Sequence, residues 1–592
     1  MGSRSLFAEY VRLHKGKYLF GAALLSISCL LQLVIPRLLE KFTNGVQSLT
    51  ITFFDTFQLA LWITAIGFGV AFFRSTSRIY IFRLSRQLER NIRDRLFQQW
   101  EKMPPEYYKR QRIGDLMSHA INDVNVTRDV AMQGVFMTVE AVILITVTVI
   151  AMSTTIHASL TLLVMLPLPA LSYMAYKFRF QIQERSLRVQ EAIGLLASRV
   201  QEFCAGIRVV KAYVQEQDQM KKFMEDNQNN VMANRNLIRS NSLFTSISQG
   251  IVGLSYLISV LFGGILTMRG TITLGEFVAF NTYLSFLVSP VENLGKVINT
   301  LQRGRAADLR LREILALKPA VQDDVEVLPI TSLNGSIQVS HLSFTYPGDH
   351  SPTLRDINLS IPQGSSIAIV GKVGSGKTTL VNLLMRMYNP PKGTIFIDGL
   401  EISQIPLRVL RESIGFVPQE NFLFSTTIAE NIAFDPKSYQ QSHIEEAAKL
   451  AQVYENIVHF PKKFDTPLGE RGTSLSGGQR QRVSIARAVI KDPPILIFDD
   501  SLSAVDAQTE EQILEGLRKV KQGRTTIMVS HRISTIMDCN QIIVMDNGRI
   551  IEQGNHYSLL QQEGIYAQMY KIQQAGFDLE HEGRWSEGGH SL

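Results

Sequence analysis

The stretch SIAIVGKVGSGKTTLVNLLM, residues 366–385, decides the reading of the second half of this chain. An apolar strand, Ile367–Val370, runs into a glycine loop that opens into a helix. Gly371–Thr378 satisfies G-x-x-x-x-G-K-[ST], the phosphate-binding P-loop. Gly374 and Gly376 let backbone N–H groups close around phosphates at a helix N-terminus, whose dipole favours anions. Lys377 can reach a β- and γ-phosphate, and the Thr378 hydroxyl can ligate Mg²⁺. The nucleotide cradle is therefore expected over Gly371, Lys372, Val373, Gly374, Ser375, Gly376, Lys377, Thr378 and the adjoining Thr379.

Downstream, PPILIFDD (493–500) carries an apolar strand, Ile495–Phe498, that ends in Asp499, a second candidate Mg²⁺ ligand. Between the two lies LSGGQRQ, Leu475–Gln481. Upstream, IQVSHLSFTY (337–346) and LRDINLSI (354–361) read as strands, so this half is a soluble-type α/β domain. A charged connector, LRLREILALKPAVQDDVEVLPI (309–330), precedes it.

Before the connector the composition changes. A bilayer crossing needs roughly 20 mostly apolar residues. Six stretches qualify: Tyr18–Ile35, Phe57–Phe73, Gly134–Met152, Leu160–Tyr176, Leu243–Met268 and Leu274–Leu294. The fourth contains Pro167 and Pro169, which membrane helices tolerate when neighbours satisfy the freed carbonyls. Two long loops, after crossings two and four, are rich in arginine and lysine, from Arg74 to Arg112 and from Lys177 to Lys222. The opposite loops hold little positive charge, mainly Lys41 and Arg269. The positive-inside bias puts both termini and both long loops in the cytoplasm. It also accounts for the formal net charge of +7 without nucleic acid. The long loops are patterned as helices and too polar for lipid, so the crossing helices are expected to continue beyond the membrane.

Residues 1–20 lack a short apolar core before a small-residue cleavage site and read as an interfacial amphipathic entry segment. Cys29, Cys204 and Cys539 are too scattered for a disulfide framework or a metal site. Glu140 is ionisable and lies inside the third crossing. Either it faces an interior cavity, or it sits near one membrane face, hydrated or paired with a neighbouring helix.

LSGGQ beside a P-loop and a Walker B strand resembles the ATP-binding cassette (ABC) transporters. YYKRQRIGDLMSHAINDV (107–124) and GIRVVKAYVQE (206–216) are similar to loop segments of the P-glycoprotein-like exporter branch. The resemblance covers nearly the whole chain. It implies a polytopic α-helical membrane domain, six transmembrane helices with long cytoplasmic extensions, fused to an α/β P-loop ABC ATPase domain. The expected division is 1–320, membrane domain; 321–577, nucleotide-binding domain; and 578–592, a polar, disordered tail. In that family Tyr346 of FTYPG would stack on adenine and Gln419 of VPQE would be the Q-loop glutamine that approaches Mg²⁺. Glu470 would lie in the loop before the signature, Asp506 would be the D-loop aspartate, and His531 of VSHR the switch histidine. Leu475, Ser476, Gly477, Gly478 and Gln479 would face an ATP held by a second half-transporter. Thr378, Gln419 and Asp499 would serve Mg²⁺, and Gln419, Asp500 and His531 hydrolysis.

One position departs from the family pattern. The residue after the Walker B aspartate is usually glutamate; here it is Asp500. Its carboxylate falls short by about one C–C bond, ~1.5 Å. This departure resembles the aspartate-bearing subunits of heterodimeric bacterial multidrug exporters, the MdlA-like and BmrC-like half-transporters. It implies a degenerate-site subunit in the bacterial plasma membrane, partnered by a chain with a Walker B glutamate and an altered signature. The cargo implied is a small amphipathic compound: a drug, a lipid or a peptide. Two other readings are a homodimer with two slow sites and a nucleotide-sensing regulatory subunit that transports nothing. The membrane crossings exclude a soluble ABC ATPase.

Overall fold

The computed structural model describes residues 5–323, 327–434, 439–469, 472, 474–500, 513, 515, 516, 518 and 523–574. Two compact units emerge: residues 1–101 with 111–317, and residues 102–110 with 318–592.

The first unit is helical. A short amphipathic helix, α1 (Leu6–Leu13), starts at Ser5, whose hydroxyl accepts the Ala8 N–H. Leu6 N–H also donates to the buried Asp308 carboxylate at 2.7 Å, fixing the entry segment. Helices α2 (Lys15–Gln32) and α3 (Ile35–Gln47) form the first crossing, and α4 (Phe53–Glu101) the second. The 49 residues of α4 span about 74 Å at ~1.5 Å per residue, more than twice the ~30 Å hydrocarbon core. The expected helical extension is thus one uninterrupted helix, apolar at its start and polar from Arg74 onward. Ser77 Oγ donates to Gly21 O at 2.8 Å and Ser28 Oγ to Val70 O at 3.1 Å, tying α2 to α4.

Among the described residues, five helical runs are long and apolar enough to cross a membrane. The remaining expected crossing, Leu160–Tyr176, is a broken helix. With α5 assigned to Pro105–Arg110 of the second unit and α6 to Val135–Met152, its two pieces are α7 (Ala158–Met165) and α8 (Leu168–Ala205). Pro167 is the N-cap of α8 and Pro169 lies in its first turn, where a missing N–H costs no hydrogen bond. The unit closes with α9 (Glu216–Ile258) and α10 (Leu274–Ala316). Thr273 and Glu276 form a capping box at the start of α10. Tyr283 OH donates to Leu33 O at 3.0 Å, a buried tie between α10 and the first crossing.

The second unit is α/β. An antiparallel sheet has the order β2-β1-β4-β5, with β1 Ile337–Phe344, β2 Leu354–Ile361, β4 Ile395–Ile397 and β5 Leu400–Glu401. A six-stranded sheet runs β10-β9-β3-β8-β7-β6. It comprises β3 Ser366–Gly371, β6 Ile414–Val417, β7 Ile495–Asp499, β8 Thr525–Val529, β9 Gln541–Asp546 and β10 Arg549–Gly554. Strands β6, β7, β8, β3 and β9 are parallel, and β10 is an antiparallel edge. β3, β7 and β8 are apolar along most of their length, as strands covered on both faces must be. Their carboxyl ends converge on one edge, where α/β sheets place ligands.

The connector is anchored by Arg386, which is 2% exposed. Its guanidinium donates to Gln322 O at 3.0 Å and to Ile402, Ser403 and Ile405 carbonyls at 3.3–3.4 Å. Asn389 Nδ2 adds a bond to Ala320 O at 2.7 Å. Arg386→Met would strip donors from several buried carbonyls, an expected loss of about 2–3 kcal/mol. Calorimetry of the cassette transition should show its midpoint fall by roughly 5–10 °C.

Candidate functional site

The P-loop leaves the carboxyl end of β3 and opens into α11 (Lys377–Leu384). Gly371 is required by close approach: a Cβ there would stand 2.1 Å from Met545 O of β9. At Gly374, with φ +83°, a Cβ would meet nothing within 4 Å, so the loop backbone borders open space. Gly376, φ +99°, is the N-cap that turns the chain into α11. Ser375 is buried and its carbonyl accepts the Gly548 N–H at 3.2 Å, while Val373 is 91% exposed at the loop tip.

Lys377 lies beneath the loop, 7% exposed. Its Nζ donates to Gly371 O and Lys372 O at 2.8 Å each. Burial pushes its pKa down, and the carboxylates of Asp499 and Asp500 oppose that shift. Asp499, at the end of β7, is 3% exposed. Burial raises its pKa; a hydrogen bond with the Thr378 side chain and the charges of Lys377 and His531 pull it back. Thr378 and Asp499 therefore bring two hard oxygen donors together beside the P-loop, a donor set that suits Mg²⁺.

Asp500 follows in a left-handed conformation, φ +45°, held by its N–H to Val529 O at 2.8 Å. Gln419 Nε2 is 3.5 Å from Asp500 Oδ2. The backbone at His531 is fixed by Gln573, whose Nε2 donates to His531 O at 2.5 Å. One cleft of about 230 Å³ gathers Lys377, Thr378, Gln419, Asp499, Asp500 and His531, together with Gly374, Gly376 and Thr379. Thr353 and Val529 also line it; neither belongs to a motif that sequence reading isolates.

Tyr346 is joined to the P-loop helix by its hydroxyl, which donates to Thr379 Oγ1 at 3.0 Å. Tyr388 packs edge-on against it, ring centroids 5.0 Å apart. The Tyr388 hydroxyl hydrogen-bonds Lys109 of α5, and Arg110 of the same helix donates to Pro347 O. Sequence reading missed Tyr388, because no motif distinguishes it from a core tyrosine.

The signature residues stand apart. Ser476 caps α12 (Gly477–Val489), with its hydroxyl accepting the Gln479 N–H at 3.3 Å and Gln479 Oε1 accepting the Ser476 N–H at 3.0 Å. Leu475 is buried as an anchor. None of Leu475, Ser476, Gly477, Gly478 and Gln479 lines the P-loop cleft. Asp506, Glu470 and the tail 578–592 lie outside the described residues. In the first unit, Glu140 on α6 forms an ion pair with Arg74 of α4, and its side chain is 18% exposed.

Comparison with known proteins agrees with this architecture. Residues 18–291 match the model of the ABC transporter transmembrane region, and residues 354–503 that of the ABC transporter family. The chain is 37% identical to the multidrug resistance-like ATP-binding protein MdlA of Escherichia coli (strain K12), over 96% of this chain and 97% of that protein. It is 35% identical to the probable multidrug resistance ABC transporter ATP-binding/permease protein YheI of Bacillus subtilis (strain 168), over 94% and 95%. Among solved structures, a bacterial Atm1-family ABC exporter with ATP bound superposes with a TM-score of 0.79 at 27% identity, covering 94% of this chain and 98% of that one.

Proposed function

This chain belongs to the ABC transporter family, as an exporter that fuses a membrane region to one ATP-binding cassette, and from that premise we propose that it is the degenerate-site subunit of a heterodimeric multidrug half-transporter pair. The observation that carries the reading is Asp500. It lines the cleft that holds Lys377, Thr378 and Asp499, beside Gln419 and His531, at the position where the family's hydrolytic carboxylate stands. The same chain keeps an unaltered LSGGQ, which lies outside its own cleft and is available to a partner's nucleotide. The names of the relatives favour amphipathic drugs as cargo.

In this reading the Gly374 and Gly376 backbone and Lys377 hold the ATP phosphates, and Tyr346 stacks on the base. Thr378 and Asp499, with Gln419 near them, would hold Mg²⁺, which when bound neutralises charge on the phosphates. Asp500 and His531 bear on the attacking water, and the short aspartate makes that step slow. Closure of two cassettes on ATP would drive an outward-facing cavity, and hydrolysis at the partner's site would reset the pair. The excess of arginine and lysine in the helical extensions supports cytoplasmic termini in a bacterial plasma membrane. The intact signature also suits a homodimer with two slow sites, and purification separates the two. The chain alone is expected to turn over ATP at least tenfold more slowly than when co-purified with a Walker B glutamate partner. Brisk solitary turnover would overturn the degenerate-site assignment. ATP-dependent uptake of a fluorescent amphiphile into inverted vesicles tests transport itself.

A further inference from the structure

A crevice of about 750 Å³ lies between the first crossing and the start of α4, at the end of the bundle opposite the polar helical extensions. Leu31, Leu59, Trp62 and Ile66 give it apolar lining, and Lys41 and Asp55 add one charge of each sign. Among the described residues, these two charges line the same crevice and form no ion pair with each other. Lys41 makes no hydrogen bond or ion pair among the described residues. Among the described residues, Asp55 is held through Oδ2, which accepts Thr52 N at 3.0 Å and Thr52 Oγ1 at 2.6 Å. Flanking Asp55 in the sequence, Phe53, Phe54 and Phe57 are exposed by 88%, 72% and 59%, as interfacial aromatics at a membrane surface are.

We propose that this crevice binds a zwitterionic phospholipid, with its phosphate against Lys41, its ammonium against the Asp55 carboxylate, and an acyl chain along the Leu31–Leu59–Ile66 wall. Charge complementarity selects the occupant. An anionic lipid would satisfy Lys41 and be repelled by Asp55; a cationic amphiphile would do the reverse. Only a headgroup carrying both charges answers both residues, and the Trp62 ring adds apolar surface to the crevice. The volume suits a headgroup with the first part of its chain. The site is independent of the nucleotide cleft and of which cargo the chain moves.

Native mass spectrometry of the delipidated full-length chain, given dioleoyl phosphatidylethanolamine or dioleoyl phosphatidylglycerol in micelles, tests this. One phosphatidylethanolamine should survive activation in preference to phosphatidylglycerol. Lys41→Ala and Asp55→Asn should each cut that adduct about fivefold or more, whereas Arg269→Ala, outside the crevice, should not. Asp55→Asn should also narrow the preference over phosphatidylglycerol. Equal retention of both lipids, an adduct indifferent to Lys41→Ala, or no adduct because a second chain fills the crevice would each overturn the proposal. Matching thermal melts would establish that the variants are folded.

Discussion

Lys377→Ala is expected to weaken ATP binding by about two orders of magnitude, read by titration calorimetry in the presence of Mg²⁺. The lysine is already buried and desolvated, with Nζ bonded, among the described residues, to the Gly371 and Lys372 carbonyls and weakly to Ser375 Oγ. Nucleotide phosphates offer those protons charged acceptors in place of neutral ones, and charge-assisted hydrogen bonds are roughly twice as strong as neutral ones. Alanine removes that gain. It also leaves Asp499 and Asp500 without their nearest cation, so the cleft would repel phosphate. Two or three kcal/mol lost in this way is a factor of about 30–150 in affinity. Because the buried charge carries a desolvation cost, the unliganded melting temperature should move little. The stabilisation conferred by ATP, which follows mass action, should disappear. Unchanged ATP affinity would contradict the assignment.

How far the sequence carried depended on how local the chemistry was. The P-loop and the strand ending in Asp499 are contiguous stretches, and in the structure each leads into the helix or loop its residue types require. Features built from distant residues were beyond reach. Arg74 reads as the first cation of a polar helical extension, yet it pairs with Glu140, 66 positions away, across two helices. That pair joins two helices far apart in sequence, a contact that no local pattern signals. Tyr388 is similar: its place between Tyr346 and Lys109 follows from the docking of α5 on the second unit. The break in the fourth crossing departs from the sequence expectation of one helix that tolerates Pro167 and Pro169, because a tolerated proline and a helix end give the same sequence pattern.

Asp500→Glu is expected to raise ATP turnover of the purified chain by about 100-fold. The added methylene advances the carboxylate by ~1.5 Å, and an error of about 1 Å in placing a reacting group can cost on the order of 100-fold. Asp500 occupies a left-handed conformation, fixed by its N–H to Val529 O, which aspartate adopts more readily than glutamate, so the variant's folding is checked by its melt. The longer side chain also has room, since Asp500 borders the open cleft with Gln419 3.5 Å away. Using the chain alone makes the test clean. In any self-assembled pair each P-loop would face an intact LSGGQ, so neither site carries a second defect and only residue 500 limits the rate. A large gain would show that the missing methylene is what slows the site. With ATP binding intact and dimers present by light scattering, an unchanged rate would place the limit elsewhere in the cycle and remove the physical basis for a degenerate site.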